Sequence, residues 1–432
     1  MIYFPIFYMG FVGGRSKSEI IDSFARYVSP AKAKFFSMVG IDFVPARREG
    51  VWYWDLDGRR LMDCHCNGGV FNLGHRHPEV VSTLREAVEE LDIGNHHLIS
   101  EQRARLAEKL AEVMPGDISR TVFGVGGGEA IDFAIKLARG HTGKKKIVYA
   151  RGGYHGHTGF ALAAGDEKYK RPFEPLAPGF VEVPFGNAEA LERAVDSETA
   201  AVLFETIPAT LGMPLPPDDF YKRVREICDE KDCLMMVDEV QTGLGRTGRM
   251  WGIEHYKVVP DVIITAKGLS GGIYPISATC FKDGLDDFMS ENPFIHVSTF
   301  GGAEIGCAVA LKVLEITSNE SFMNNVRKMA SLLSNELEKM KEEFDFLEEI
   351  RQKGLFIGIK MVEEGFGPLL SISCYHNGIL AVYANNDTSV MQFLPPLIIS
   401  QEHTDYISEN LRNALEMTSQ RRDMVEMIRA ML

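Results

Sequence analysis

The chain has 432 residues, enough for two domains or one large and one small, with an ordinary globular balance of 45% hydrophobic and 25% charged residues. Its net charge of -14 argues against bulk electrostatic binding to nucleic acid or to an anionic membrane. The seven cysteines are an odd number, and although Cys64 and Cys66 flank His65, no second pair completes a zinc set, so reduced thiols in a cytoplasmic protein are expected.

The opening stretch MIYFPIFYMGFVGG is apolar but lacks a basic segment before it and a small-residue cleavage site after it. It is also shorter than the roughly 20 residues of a membrane span. A packed arm, or a true start at Met9, is the expectation. Residues 18–46 predict a helix followed by extended chain. VWYWDLDGRRLMDCHC (51–66) alternates apolar and polar residues around an Asp-Gly turn, as a hairpin does. Helical patterns follow at 78–92 and 100–113. From 120 to 282 the short apolar runs TVFGV, KIVYA, FVEVPF, AAVLFETI, CLMMVDEV, DVIITA and PISATCF alternate with helical or turn segments. Runs apolar on both faces and flanked by helices predict a mostly parallel, buried sheet, whose ligands sit beyond the carboxyl ends of its strands. A helix is expected to start within 301–316, and a charged amphipathic one over 323–343. RQKGLFIGIKM reads as a strand containing Gly354 and Gly358, VMQFLPPLIIS lies near the end, and 404–432 reads as helical. With no long linker or repeat, the second domain is expected to be discontinuous, built from both chain ends.

Three strand ends hold the chemistry. Lys267 follows VIITA, and a lysine at the end of a buried strand needs a partner or a use. Asp238 ends CLMMVD, beside Glu239; a buried carboxylate is costly unless paired. Gly126-Gly127-Gly128 lies between the run TVFGV and a helical pattern beginning near Glu129, where backbone N–H groups and the helix dipole can hold a phosphate. An amine to condense with an aldehyde, an acid to keep a pyridine nitrogen protonated and a phosphate loop together point to pyridoxal 5'-phosphate (PLP). Gln241 can reach a phenolic oxygen or cap a backbone group. Tyr154 can stack on a ring, although the Tyr154-His155 pair alone would more often be structural. Gly243-Leu244-Gly245-Arg246-Thr247-Gly248 matches the dinucleotide glycine pattern, but RMWGIEHY after it is short and broken by Gly252, and Asp261 begins the next strand where a ribose-binding acid should end one. A dinucleotide site is the weaker reading.

Together LMDCHCNGGVFNLGHRHPEVV, GGGEAIDFAIKLAR, YHGHT, VDEVQTGLGRTG, AKGLSGG, STFGG and RQKGLFIGI resemble the class III aminotransferases, from about residue 40 to about residue 420. The resemblance implies an α/β fold of PLP fold type I: a large domain with a mostly parallel seven-stranded sheet over 71–315, and a smaller α+β domain from 1–70 and 316–432. It implies that Lys267 binds the cofactor covalently and shuttles the proton. Asp238 pairs with the pyridine nitrogen, Gln241 approaches the phenolic oxygen, and Tyr154 stacks on the ring. Gly127 and Gly128 hold the phosphate, and Thr299 reaches the phosphate of a neighbouring subunit in a homodimer or dimer of dimers. LAPGFVEVPFGN and NPFIHVSTFGG look most like the putrescine and diamine branch. The expected partners are a small-molecule amine donor, as a primary amine, diamine or ω-amino acid, and a 2-oxo acid acceptor such as pyruvate or 2-oxoglutarate. A racemase, epimerase or aminomutase of the same fold is the alternative.

The chain departs from the family pattern in three places. The phosphate loop lacks its usual hydroxyl residues. The glutamate that pairs with a substrate-binding arginine falls on Thr210, and that arginine's own place, before F-x-P-P, is Gln392. A neutral amide does not replace a bidentate arginine–carboxylate contact, so a donor without an α-carboxylate is expected.

Overall fold

The computed structural model describes residues 13–430; most of the apolar opening stretch, through residue 12, lies outside them. The expected first helix is two, Lys17–Tyr27 and Pro30–Met38. Ser29 caps the second through Lys32 N–H, and Pro30, with no N–H of its own, suits the first helical turn and not a helix interior. Strands β1 (Pro45–Glu49), β2 (Trp52–Asp55) and β3 (Arg60–Asp63) form an antiparallel meander. Asp55 makes the β2–β3 turn by accepting from the N–H groups of Asp57 and Arg59 at 3.0 and 2.8 Å.

Helices Pro78–Glu90 and Glu101–Val113 lead into the large sheet. Its strands are β4 (Ile118–Gly124), β5 (Lys146–Ala150), β6 (Phe180–Val183), β7 (Thr199–Glu205), β8 (Leu234–Asp238), β9 (Val262–Thr265) and β10 (Ser277–Lys282). They form a seven-stranded sheet in the order β4-β10-β9-β8-β7-β5-β6. The neighbours from β9 to β6 are parallel, and β10 alone runs against both of its own. Every residue of β7, β8 and β9 is buried. One face packs on the helix Gly127–Thr142 through Ile131, Ala134 and Ile135, the other on Leu106, Leu110, Val224, Ile227 and Leu314.

Helices Glu304–Thr317 and Glu320–Glu343 follow. The segment RQKGLFIGIKM is not one strand but the end of β11 (Leu347–Lys353) and all of β12 (Phe356–Met361), folded back on each other. Gly354, at φ +59, makes the reversal, and a Cβ there would lie 2.3 Å from the Thr247 carbonyl carbon. After the helix Phe366–His376 come β13 (Ile379–Leu380), β14 (Val382–Ala384) and β15 (Asp387–Phe393). The last helical region is likewise two helices, Gln401–Gln420 and Met424–Arg429. β13 pairs in parallel with β3, so the C-terminal part completes the N-terminal sheet. One apolar core joins Val51, Met62 and Cys64 to side chains from Val326 to Ile428.

The glycine-rich segment after β8 is a joint between the large sheet and this second core. Arg246 is fully buried and donates to the carbonyls of Leu355 and Pro395 at 3.1 and 2.5 Å and to Asn72 Oδ1 at 2.6 Å. The segment is followed only by the short 3-10 turn Gly252–Tyr256, not by the helix whose N-terminus a dinucleotide phosphate needs.

Candidate active site

The carboxyl ends of β5, β7, β8 and β9 and the turn after β4 converge on one cavity of about 180 Å³. It is smaller than the roughly 300–1,000 Å³ of sites for larger ligands, which suits a single-ring cofactor. Gly127, Gly128, Tyr154, His155, Glu205, Asp238, Gln241 and Lys267 all line it.

Lys267 directly follows Ala266 at the end of β9 and has φ +42, a left-handed conformation a lysine adopts only under tertiary constraint. Ser270 Oγ donates to its carbonyl at 2.6 Å, closing the turn. The amine donates to Gln241 Oε1 at 3.1 Å. Gly68, at φ +68, passes so close that a Cβ there would lie 3.2 Å from Lys267 Nζ. Burial pushes the lysine pKa down, against the opposing charges of Asp238 and Glu205.

Asp238 is 5% exposed. Its Oδ1 accepts Val240 N–H at 3.0 Å, and its Oδ2 lies 2.8 Å from His155 Nδ1. A carboxylate only accepts, so Nδ1 is the protonated nitrogen. Burial opposes charge on His155, but the Asp238 hydrogen bond and the charges of Asp238 and Glu205 outweigh it and raise its pKa. His155 Nε2 is buried with no partner among the described residues.

Neighbouring Glu239 points elsewhere. It accepts from the hydroxyls of Thr206 and Thr242, both at 2.6 Å, and from the N–H groups of Gly252 and Ile253 at 3.0 and 2.7 Å. One acid of the pair is thus turned to the cavity and the other is consumed by the fold.

The helix Gly127–Thr142 begins two residues before the expected Glu129. Its N-cap, Gly126, offers no side chain to its first N–H groups, while Glu129 accepts from Val125 N–H at 2.7 Å. The first turn therefore faces the cavity with donors that suit a phosphate. Gly128 is close-packed: a Cβ there would lie 2.7 Å from Thr158 Oγ1.

Two residues stand out less in the sequence than in the structure. The Tyr154-His155 pair by itself reads as structural, yet His155 holds Asp238. Glu205 is the last residue of β7, in register with Asp238 on β8. It accepts from the N–H groups of Tyr154 and Ala209 at 2.9 and 3.3 Å, and burial pushes its pKa up to about 7. Counting adjacent apolar runs that end in an acid is the signal that could have found it.

Thr299 stands outside its own chain's cavity, in an exposed segment with Phe294, Ile295, Val297 and Phe300. Gln392 is buried on β15 between Gly358 and Val382. Met391 and Phe393 enter the small core, so Gln392 and Val390 face the other way, toward 205–213, where Val390 Cγ2 would lie 3.0 Å from a Cβ on Gly212. Thr210 Oγ1 is buried there with no partner among the described residues.

Comparison with known proteins places this geometry. The family model Aminotransferase class-III matches residues 37–415. A protein of Archaeoglobus fulgidus described as an uncharacterized aminotransferase is 83% identical over 424 residues, covering 98% of this chain and 100% of that one. The crystal structure of ornithine aminotransferase from Toxoplasma gondii superposes with TM-score 0.87 at 26% identity, covering 95% of this chain and 97% of that one. A thermostable (S)-enantioselective ω-transaminase from Thermomicrobium roseum gives 0.85 at 29% identity, covering 93% and 98%. The chain belongs to the class III aminotransferases, and it is a PLP-dependent transaminase that moves an amino group between an amine or amino-acid donor and a 2-oxo acid.

Proposed function

We propose that the donor presents a terminal primary amine and needs no α-carboxylate, as in a putrescine-like diamine, and that the acceptor is a 2-oxo acid. The observation that carries this reading is Gln392. It lies on the face of β15 turned toward 205–213, where Thr210 also stands, and neither residue can form an arginine–glutamate pair. The ornithine aminotransferase and ω-transaminase relatives support a terminal-amine donor by their names.

The cavity residues fit PLP: a buried amine, a buried carboxylate fixed by a histidine and a helix N-terminus without a side-chain cap. When bound, PLP supplies an electron sink for the carbon that loses its proton. Lys267 would hold it covalently, Asp238 would pair with the ring nitrogen, and Gln241 would meet the phenolic oxygen. Tyr154 would stack on the ring, while Gly127 and Gly128 would bind the phosphate. Lys267, its pKa lowered by burial, would be the base that takes the proton from the donor carbon. His155 keeps Asp238 aimed. Thr299 would serve the site of a second subunit, in a homodimer or dimer of dimers, and the exposed apolar segment around it supports that role. The division into 1–70, 71–315 and 316–432 fits the way Val51, Met62 and Cys64 share a core with the C-terminal part. A cytoplasmic location suits the net charge of -14, and among the described residues no helix is long and apolar enough to cross a membrane.

The test compares kcat/KM for putrescine, cadaverine, 4-aminobutyrate and acetylornithine with one acceptor. The reading expects the diamines to lead by about tenfold or more, the worth of one lost charge-assisted contact. A lead for acetylornithine or 4-aminobutyrate would overturn it.

A further inference from the structure

All seven cysteines are free thiols, and two of them meet at one helix end. The helix Phe220–Lys231 stops at Asp232, which adopts φ +50, and the chain turns directly into β8. The N–H of Cys233 bonds back to the carbonyl of Cys228 at 3.1 Å, and that of Asp232 to Asp229 at 3.5 Å. This paired closure brings the side chains of its first and last residues together, a place normally filled by an apolar contact. Here both are cysteines, 0% and 4% exposed, in the same core cluster. Lys144 crosses the closure, donating to the carbonyls of Lys231 and Asp232, with its ammonium 3.6 Å from the Asp232 carboxylate.

We propose that Cys233 and Cys228 are a redox modification site, an attacking and a resolving thiol that close a reversible disulfide between the helix end and β8 when a small-molecule disulfide is the oxidant. The Cys233 thiolate attacks one sulfur of the oxidant R–S–S–R, forming a mixed disulfide and expelling one thiolate. Cys228 loses its proton and attacks the Cys233 sulfur, forming the Cys228–Cys233 bond and expelling the second. The protein gives up two electrons and two protons, which leave in two R–SH.

The two thiols are unequal. The neighbouring Cys228 thiol, with the charges of Lys144 and Arg225, holds Cys233 below the usual thiol range, while the same neighbour and burial push Cys228 up. Cys233 adjoins the fully exposed Asp232 side chain, so fraying of one helical turn is enough to admit the oxidant. The bond would staple the root of β8, the strand that ends at Asp238.

Trypsin cuts after Lys231, between the two cysteines, so the bond reads out as two joined peptides. Folded holoenzyme is incubated with oxidised glutathione, alkylated and digested. The expected product joins Glu226–Lys231 to Asp232–Arg246, two hydrogens lighter than the separate pair and parted by dithiothreitol. Cys228→Ser should leave glutathione on Cys233, and Lys144→Gln should slow the linkage several-fold. The linked enzyme should lose activity on heating a few-fold more slowly than the reduced one. Two separate peptides after full exposure to the oxidant, or either cysteine joined to a different one, would overturn the proposal, as would glutathione on Cys228 with Cys233 untouched.

Discussion

Two glycine-rich turns follow strands of the same sheet, and they have opposite fates. Gly126–Gly128, after β4, opens a 16-residue helix whose N-cap leaves the first N–H groups facing the cavity. Gly243–Gly248, after β8, is filled by its own chain: Arg246 is buried across it, and Gly354 is pressed against Thr247. The glycines serve close approach in both places. What differs is the object approached, the cavity in the first turn and the small domain in the second. A glycine pattern therefore reports that the backbone comes near something, and the neighbouring side chains say what.

The contrast predicts that damage at the cavity removes activity and damage at the joint removes stability. Lys267→Ala is the largest expected effect: turnover falls to background and borohydride no longer fixes the cofactor to the chain, while the melting temperature of the apoprotein stays within a few degrees. Normal turnover in this variant would remove the basis of the comparison. At the joint, Arg246→Met should lower stability by about 1–3 kcal/mol for each buried acceptor left unsatisfied, the carbonyls of Leu355 and Pro395 among them. Urea unfolding measures this, and the molecules that remain folded should bind PLP normally.

The paired acids sharpen the same point one residue apart. Asp238→Asn should cost about 10²–10³-fold in kcat, as removal of a preorganised charge does, with little change in stability. Glu239→Gln should instead cost about 1–3 kcal/mol of stability, because an amide cannot accept all four of its donors, and should leave kcat nearly intact. A mirror-image result, with Glu239→Gln the catalytic loss, would mean the strand end is read with the wrong face inward.

Gly128→Ala is a smaller perturbation of the first turn. The added methyl meets the short, β-branched Thr158 side chain, so PLP affinity should fall about tenfold by equilibrium dialysis, with a stability loss of about 1–3 kcal/mol. The smallest effect concerns pH. Burial raises the Glu205 pKa from 4.5 to about 7 in the folded chain, so folding favours its protonated form. That contribution to stability is full below about 4.5 and fades as pH rises through about 7. Glu205→Gln should flatten the decline across this window in urea midpoints, and an unchanged slope would place the titration on another group.

Much of the molecule was legible before folding was considered. The runs ending at Ala150, Glu205, Asp238 and Thr265 are buried on both faces in the structure, and a parallel sheet presents its ligand at those ends. That is why Lys267, Asp238 and the glycines could be picked by position, and with Gln241 and Tyr154, whose roles the family resemblance implied, they are found around one cavity. The misread elements fail for local reasons. Pro30 splits the first helix, and the positive φ of Gly354 turns one expected strand into a hairpin. Thr299 lies where a single chain gives it nothing to hold.

Residue types at strand ends determined the cofactor class, because an amine, an acid and a glycine turn in those places answer the three ends of PLP. Only the tertiary structure decided how they are held. The pairing of His155 with Asp238 joins residues far apart in the chain through the loop after β5. The register that sets Glu205 beside Asp238 belongs to two strands, and the direction of Gln392 depends on which face of β15 the small core takes. Each is a contact between distant segments, which no local pattern encodes, since register and side-chain direction are set only when the apolar faces close on one another.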